Sequence, residues 1–405
     1  MEKFEKNEEN ERNEYQATLL KNRVQKKFRA LRKWARKNLV TCFRLYDRDI
    51  LEIPLAIDLY EFLPEEIETA QEAFAFVSNQ AKDESQNIPG AAQKKLSRTY
   101  IKIFLYERPP QHQKSDAEEA QWLSEICAAL SDALGIERSH IVCKIRRHEK
   151  GGSQYSKENS WQGANAISAL QNANPQITGN VFECGSIFFI NLSDYIDTGL
   201  FLDMRKTRAL VKSRSQGKRV LNLFCYTSSF SVAAAAGGAA AIESVDLSNT
   251  YLEWSKKNFS LNGLSGKSEF KFFRSDVFEF LEDAIRAEKK FDMIILDPPT
   301  FSNSKKTRAD LDLNRDWSAL ANLCIRLLDE NGALYFSTNS RRLSFDRNSL
   351  EENERLEIAE ITQETLDADF EQKKPHRVWE IKKAAHSERP LERNSETYFA
   401  SDLIP

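Results

Sequence analysis

The chain has 405 residues, with 58 Lys and Arg against 61 Asp and Glu, for a formal net charge of −3. Its 41% hydrophobic and 29% charged residues suit a globular protein, and its length suits two or three domains. The balance excludes a polycation that coats nucleic acid with its whole surface but allows a local basic patch, and no apolar run approaches the roughly 20 residues of a membrane span.

The first fifteen residues, MEKFEKNEENERNEY, are charged and lack the apolar core of a secretory signal. Cys42, Cys127, Cys143, Cys184, Cys225 and Cys324 show no CxxC spacing, and no HxxxH or HExxH pattern occurs. That argues against a zinc site or a disulfide framework and for a reducing, cytoplasmic setting with no protein metal centre.

In chain order, residues 1–14 are polar and expected to fray. Lys21 to Lys37 holds nine basic residues and no acidic one. Val24, Phe28, Leu31 and Ala35 recur there at helical spacing, so the run reads as a helix with one apolar face. Nine uncompensated cations point to a phosphate-binding arm; a solvated helix packed on Phe28 and Trp34 is the plainer alternative. Residues 41–193 read as a mixed α/β domain for RNA recognition, with a helix over Asp116 to Leu134. Within it, residues 151–180 are rich in Gly, Ser, Asn and Gln and read as a long loop or irregular hairpin.

Residues 194–386 change character. Short strands are expected at 219–224, 241–246, FKFFRSD, 291–297 and 333–338, with helices between them. Strand–helix alternation at this spacing predicts a parallel sheet covered on both faces. Two further runs, IAEITQETL and HRVWEIKKA, predict an antiparallel pair at the sheet edge. The fold class is therefore α/β, a Rossmann-like, mostly parallel seven-stranded sheet behind a smaller mixed domain and a basic helix. Residues 387–405 form a tail.

Ligands of such sheets sit beyond the carboxyl ends of the strands. Here those ends read Phe224-Cys225-Tyr226-Thr227-Ser228, Asp246, Ser275-Asp276 and Asp297-Pro298-Pro299-Thr300. Asp246 stands 20 residues after Tyr226, the spacing that places a carboxylate on ribose hydroxyls. The first loop lacks GxGxxG, which disfavours a pyrophosphate. A nucleoside without a phosphate chain is expected, and S-adenosylmethionine fits. Asp-Pro-Pro removes two backbone donors and keeps the chain extended. Asp297 and the Pro298 carbonyl are then left facing the ligand, as in nucleic-acid methyltransferases.

TGLFLDMR (198–205), LNLFCYTSSF (221–230), VDLSNTYLEWSKKNFSLNGL (245–264) and DPPTFSNSK (297–305) resemble the RlmK-type 23S rRNA guanine-N7 methyltransferases. RKWARK (32–37), YDRD (46–49) and KGGSQY (150–155) extend the resemblance, which covers roughly residues 25 to 385. No Asn-Pro-Pro-Tyr motif occurs, so the guanine-N2 half of the bifunctional enzymes is not expected in this sequence. The resemblance implies that Asp246 with Leu247 holds the ribose, and Asp276 with Val277 the adenine edge. It implies that Phe224, Tyr226, Thr227 and Ser228 cradle the methionine moiety. Asp203 and Arg205 would bind the amino-acid end, Arg205 pairing with the carboxylate. Asp297, Pro298, Pro299 and Phe301 would line the target base. Met204 and Ser228 depart from the pattern, which has a polar residue and a Gly there.

Methylation at cytosine C5 needs a cysteine nucleophile after strand five. This chain has Ser337-Thr338-Asn339-Ser340 there, and Cys225 and Cys324 read as packing residues. Guanine N7 carries its own lone pair and loses no proton, so positioning suffices. Expected partners are 23S rRNA or a large-subunit assembly intermediate, with no membrane and with oligomeric state open. Candidate RNA contacts are the 21–37 helix, Lys144–Arg147, Lys305–Arg308, Arg341–Arg342 and Lys373–Arg377. A cytosine-C5 or amine-N methyltransferase, a nicotinamide oxidoreductase and a non-catalytic assembly factor are the alternatives.

Overall fold

A 37-residue helix, α1 (Glu2–Asn38), opens the chain. The computed structural model describes residues 2–86, 95–146, 176–302, 310–351 and 355–383. Residues 1–14 were expected to fray, but the helix already runs from Glu2. Its first turns are tied to the domain: Lys114 reaches Glu9 at 2.7 Å, and the Trp122 indole donates to Gln16 at 2.8 Å. Leu20, Val24, Leu31 and Ala35 are buried in one cluster with the sheet below. The helix is therefore part of the core and not a detached arm.

That sheet comprises β1 (Cys42–Asp47), β2 (Leu55–Glu61), β3 (Thr99–Tyr106) and β4 (Ile141–Arg146). They lie in the order β1-β2-β3-β4, antiparallel until the parallel β3–β4 pair. Helix α2 (Ala70–Ser85) follows β2. The β3–β4 crossover is helix α3 (Asp116–Leu134), at the span its sequence predicts. Ser115 and Glu118 form a capping box at its start, and Gly135 ends it at φ 69°. A hairpin of β5 (Thr178–Glu183) and β6 (Ser186–Asn191) follows, turning through Cys184 and Gly185, both at positive φ. Most of the 151–180 segment read as a loop lies outside the described residues.

The second sheet starts after α4 (Arg205–Arg214). Its parallel body is built from β7 (Arg219–Leu223), α5 (Ser229–Ala236), β8 (Ala241–Asp246), α6 (Asn249–Leu261), β9 (Phe270–Arg274), α7 (Val277–Arg286) and β10 (Phe291–Leu296). A short ribbon, β11 (Phe301–Ser302) with β12 (Leu311–Asp312), leads into α8 (Leu313–Leu327) and β13 (Leu328–Thr338). The chain closes with β14 (Leu356–Glu360), α9 (Thr362–Thr365) and β15 (Arg377–Lys383). The order is β14-β15-β13-β10-β7-β8-β9, with β15 antiparallel to both neighbours. The expected edge pair is present, but the first of its two runs bends into α9 after Glu360. The strand order reverses between β7 and β10, which is where such sheets bind ligands. Among the described residues no helix is long and apolar enough to cross a membrane.

The two sheets meet at a buried ion network. Arg205 Nε donates to Glu183 at 3.0 Å, Nη1 to Asp367 and Asp369 at 3.2 and 2.9 Å, and Nη2 to the Cys42 carbonyl at 2.8 Å and to Asp369 at 3.3 Å. Arg208 binds the other oxygen of Glu183 at 2.6 and 2.8 Å. The Arg44 amide donates to Asp369, and the Arg205 guanidinium lies 5.1 Å above the Trp34 ring. One cluster thus fastens α1, β1, β5, α4 and the loop before β15. Glu183 is fully buried beneath two guanidinium groups, so removing it strands both charges. Glu183→Ala is expected to cost about 3–5 kcal/mol, read as a lower denaturant midpoint. A loss below about 1 kcal/mol would contradict this role.

Candidate active site

Register brings the predicted site residues into one row. Leu223 pairs with Val245 and with Leu296, and Leu296 pairs with Phe336. The residues that follow, Phe224, Asp246, Asp297 and Ser337, therefore emerge side by side. Asp246 pairs with Arg274, which leads to Ser275 and Asp276 at the end of β9. Backbone pairing alone gathers residues that are far apart in the chain.

The loop after β7 is held in an uncommon conformation. Phe224, Tyr226 and Ser228 have φ of 52°, 52° and 58°, the left-handed region that disfavours side chains. Side chains from several elements hold it there. Asp246 accepts from the Tyr226 amide at 2.9 Å and from the Ser248 amide at 2.8 Å. Asn258 donates to the Thr227 carbonyl, and Ser255 to the Tyr226 carbonyl. The Thr227 hydroxyl donates to the Gly199 carbonyl at 2.6 Å. Ser228, which departs from the expected Gly, bonds through its hydroxyl to Ser255 at 2.8 Å. Gly199 sits at φ +103°, and a Cβ there would meet the Trp254 ring at 2.2 Å. The 198–201 segment is thereby pressed onto this loop, with the Phe201 ring 5.2 Å from Tyr226.

The Asp-Pro-Pro segment is braced from the next strand. The Ser337 hydroxyl donates to Asp297 at 2.5 Å, and the Thr300 hydroxyl to Asn339 at 2.5 Å. Ser337-Thr338-Asn339-Ser340 thus supplies hydroxyl and amide braces where a nucleophilic thiol would stand. Burial raises the Asp297 carboxyl above its ordinary value, against the Ser337 bond that lowers it. Phe301, on β11, is 40% exposed just beyond Pro298 and Pro299. Cys225 and Cys324 are buried, as packing residues should be.

Other assignments come out differently. Arg205 is 2% exposed and all five of its N–H groups serve the buried network. It has no donor left for a cofactor carboxylate, so that expectation is corrected. Met204, where the resemblance implies a polar side chain, is a core residue. Asp276 caps α7 through Oδ1, accepting from Phe278 at 2.9 Å and Glu279 at 3.3 Å, while Val277 is buried beneath it. Leu247 is half-buried beside Asp246. Asp203 stays at the crevice, joined to His376 Nδ1 at 3.2 Å, and His376 Nε2 meets Thr365 at 3.1 Å. Burial pushes Asp203 up, but the bond and charge of His376 and the charge of Arg44 outweigh it and lower its pKa. The Lys373–Arg377 run is expected to contact RNA, but His376 within it is buried and bonds Asp203 instead. No local motif marks it.

A cavity of about 560 Å³ is lined among others by Asn339, Arg341, Glu360, Lys374 and Arg377, and Asn339 ties it to the Asp-Pro-Pro segment through its bond with Thr300. Arg377 is paired with Glu360, and Lys373 approaches Asp49. Arg341, Arg342 and Lys374 are exposed and form no ion pair among the described residues. Lys305–Arg308, Arg147 and the tail lie outside them.

The family model for S-adenosylmethionine-dependent methyltransferases matches residues 154–366. The chain belongs to that family. It is 37% identical over 361 residues to ribosomal RNA large subunit methyltransferase K of Neisseria meningitidis, covering 89% of this chain and 86% of that protein. It is 36% identical to ribosomal RNA large subunit methyltransferase K/L of Magnetococcus marinus, covering 90% of this chain but 43% of that protein. The crystal structure of SMU.776 complexed with SAH has the same fold, with a TM-score of 0.61 at 22% identity over 90% of this chain and 81% of that one.

The methyltransferase's own residues fit its cofactor. Asp246 and Asp297 stand at the ends of the two strands that flank β7 and Asp276 follows the end of β9, so carboxylates suited to a sulfonium and an ammonium gather at that edge of the sheet. Burial raises Asp246 to about 6, against the Ser248 and Tyr226 amides that lower it. Above that value it is a carboxylate with full acceptor capacity; below it, protonation removes an acceptor that the ribose hydroxyls would use. S-adenosylhomocysteine affinity should therefore fall from about pH 8 to about pH 5 in titration calorimetry, and Asp246→Ala should bind weakly throughout. A flat profile in the parent protein would refute this. The folding linkage has the opposite sign. The stabilising contribution is full below the unfolded value and is lost as pH rises through about 6, so unfolding does not mimic the loss.

Proposed function

We propose that this methyltransferase modifies large-subunit ribosomal RNA in the cytoplasm, at guanine N7, by direct transfer without a covalent enzyme intermediate. The RNA substrate is supported by the names of the K and K/L relatives. The position is supported by the site itself, where Ser337 donates its hydroxyl to Asp297 and no thiol faces the crevice among the described residues. When bound, S-adenosylmethionine supplies an electrophilic methyl group. Guanine N7 attacks with an in-plane lone pair and releases no proton, so the protein need only hold the two in line.

In this reading Asp246 accepts from the ribose hydroxyls, and Oδ2 of Asp276 accepts from the adenine amine. Asp203, steadied by His376, holds the ammonium. With Arg205 committed elsewhere, the amino-acid carboxylate falls to backbone donors of the 224–228 loop. The target guanine leaves its stack and enters the cavity beside Asn339. Asp297 accepts from its N1–H and N2–H edge, and Phe301 covers its face. Arg341 and Lys374 meet the flanking phosphates.

N7-methylguanine is cleaved by borohydride followed by aniline, which separates it from C5 and exocyclic-amine marks. Large-subunit RNA treated with this enzyme and S-adenosylmethionine should become cleavable at one guanine. Asp297→Ala should lower single-turnover transfer about 100-fold with little change in RNA affinity. A 5-methylcytosine or N2-methylguanine product by mass spectrometry would refute the position. Full turnover by Asp297→Ala would refute the role of that residue.

A further inference from the structure

The basic run of α1 does not act as one surface. Lys21 pairs with Asp132, Lys27 with Asp49 at 2.7 Å and Arg32 with Glu84 at 3.1 Å. Three of the nine cations are therefore spent within the protein, and the picture of nine uncompensated charges is corrected. The Arg32–Glu84 pair has a structural effect. Glu84 lies on α2, its carboxylate almost fully buried, and it also binds Lys95 at 2.9 Å. The pair clamps the carboxyl-terminal turn of α2 against α1 about one turn before that helix's last turn.

Between the two turns runs an open groove of about 410 Å³, lined by Lys33, Arg36, Lys37, Ala81, Lys82, Ser85 and Gln86. Four lining residues are cations and none is acidic. None of the four forms an ion pair among the described residues. Lys33, Lys37 and Lys82 are exposed and Arg36 half-buried. Lys82 comes from a helix that the basic run does not include, so only the fold brings it to the other three.

Four like charges around one groove repel each other, and an anion relieves that repulsion. The groove is open and, among the described residues, carries no aromatic ring to stack a base, which suits a continuous phosphate backbone read without regard to sequence. We infer that this groove binds the phosphate backbone of the RNA substrate at a place separate from the methyl-transfer crevice. The inference rests on the RNA reading above and adds a second point of contact. It also decides how to test the contact. Deleting α1 would remove Leu20, Val24, Leu31 and Ala35 from the core, so charge must be removed while the helix is kept.

The test is the full-length triple variant Lys33→Gln/Lys37→Gln/Lys82→Gln, with Lys256→Gln/Arg286→Gln as an exposed-charge control. Binding to protein-free large-subunit rRNA is measured from about 50 to about 200 mM salt. The triple variant should bind about tenfold more weakly at the higher salt, and its log–log salt slope should shrink by about 2 to 3. S-adenosylhomocysteine affinity and single-turnover transfer at saturating RNA should match the parent. Unchanged RNA affinity and slope would overturn the inference. So would an unchanged slope with lowered thermal stability, which would make these cations partners of the helix ends only. Inorganic pyrophosphate displacing RNA at equal phosphate concentration would indicate a small-anion site and would also overturn it. If the parent neither binds nor methylates RNA, the RNA reading itself fails; if the parent does both and the variant matches it, only the groove fails.

Discussion

The two sheets depend on one buried cluster, in which Glu183 faces Arg205 and Arg208 while Asp367 and Asp369 close on Arg205. An isolated charge in such a place would cost several kcal/mol, and only complete pairing makes burial tolerable. Every N–H of Arg205 has an acceptor, and those acceptors lie on a hairpin, a strand of the first sheet and the loop before β15. The cluster thus fixes the angle at which the first sheet meets the second. It also sets Arg208, whose Nη1 holds the Phe201 carbonyl at 2.8 Å, and through Phe201 the segment that presses on the Tyr226 loop. Geometry at the crevice is inherited from an ion network behind it.

This arrangement explains what the sequence revealed and what it hid. The strand ends were readable because each follows a short apolar run, and strand pairing then places such ends in a row whatever their distance along the chain. Asp246, Asp297 and the Phe224–Ser228 loop follow from that rule. The arginine of TGLFLDMR misled because a cation near a cofactor loop reads as a ligand for a carboxylate. Nothing local announces that Glu183, Asp367 and Asp369 will surround it, since two of those acids lie more than 160 residues away. His376 was hidden for the same reason. Its partner Asp203 is 173 residues away, and only the antiparallel insertion of β15 brings the two together.

The basic helix shows a related limit. Its amphipathic spacing gave the helix and its buried face directly. Charge counting overstated the free cations, because the acids that neutralise Lys21, Lys27 and Arg32 sit on other elements. The fold subtracts charge from one part of the helix and adds Lys82 to another, so the electrostatic surface belongs to the packing and not to the run.

Charge is segregated across the molecule. In the proposed reading the crevice is lined by Asp203, Asp246, Asp276 and Asp297, an anionic field that favours a sulfonium and repels phosphate. A polynucleotide would be driven from it unless cations stood at the rim and beyond. Arg341 and Lys374 line the cavity next to Asn339, and Lys33, Arg36, Lys37 and Lys82 gather on the other sheet's side. Lys374 holds its place in a left-handed conformation at φ 42°, fixed by its amide bond to the Phe370 carbonyl. In the proposed reading, backbone phosphates held at such cations let one base cross the acidic boundary while its chain stays outside. The net charge of −3 is the sum of these opposed fields. What matters for catalysis is that the fold keeps them apart: neutralising the rim would leave the crevice able to bind its cationic cofactor yet repel the strand that carries the base.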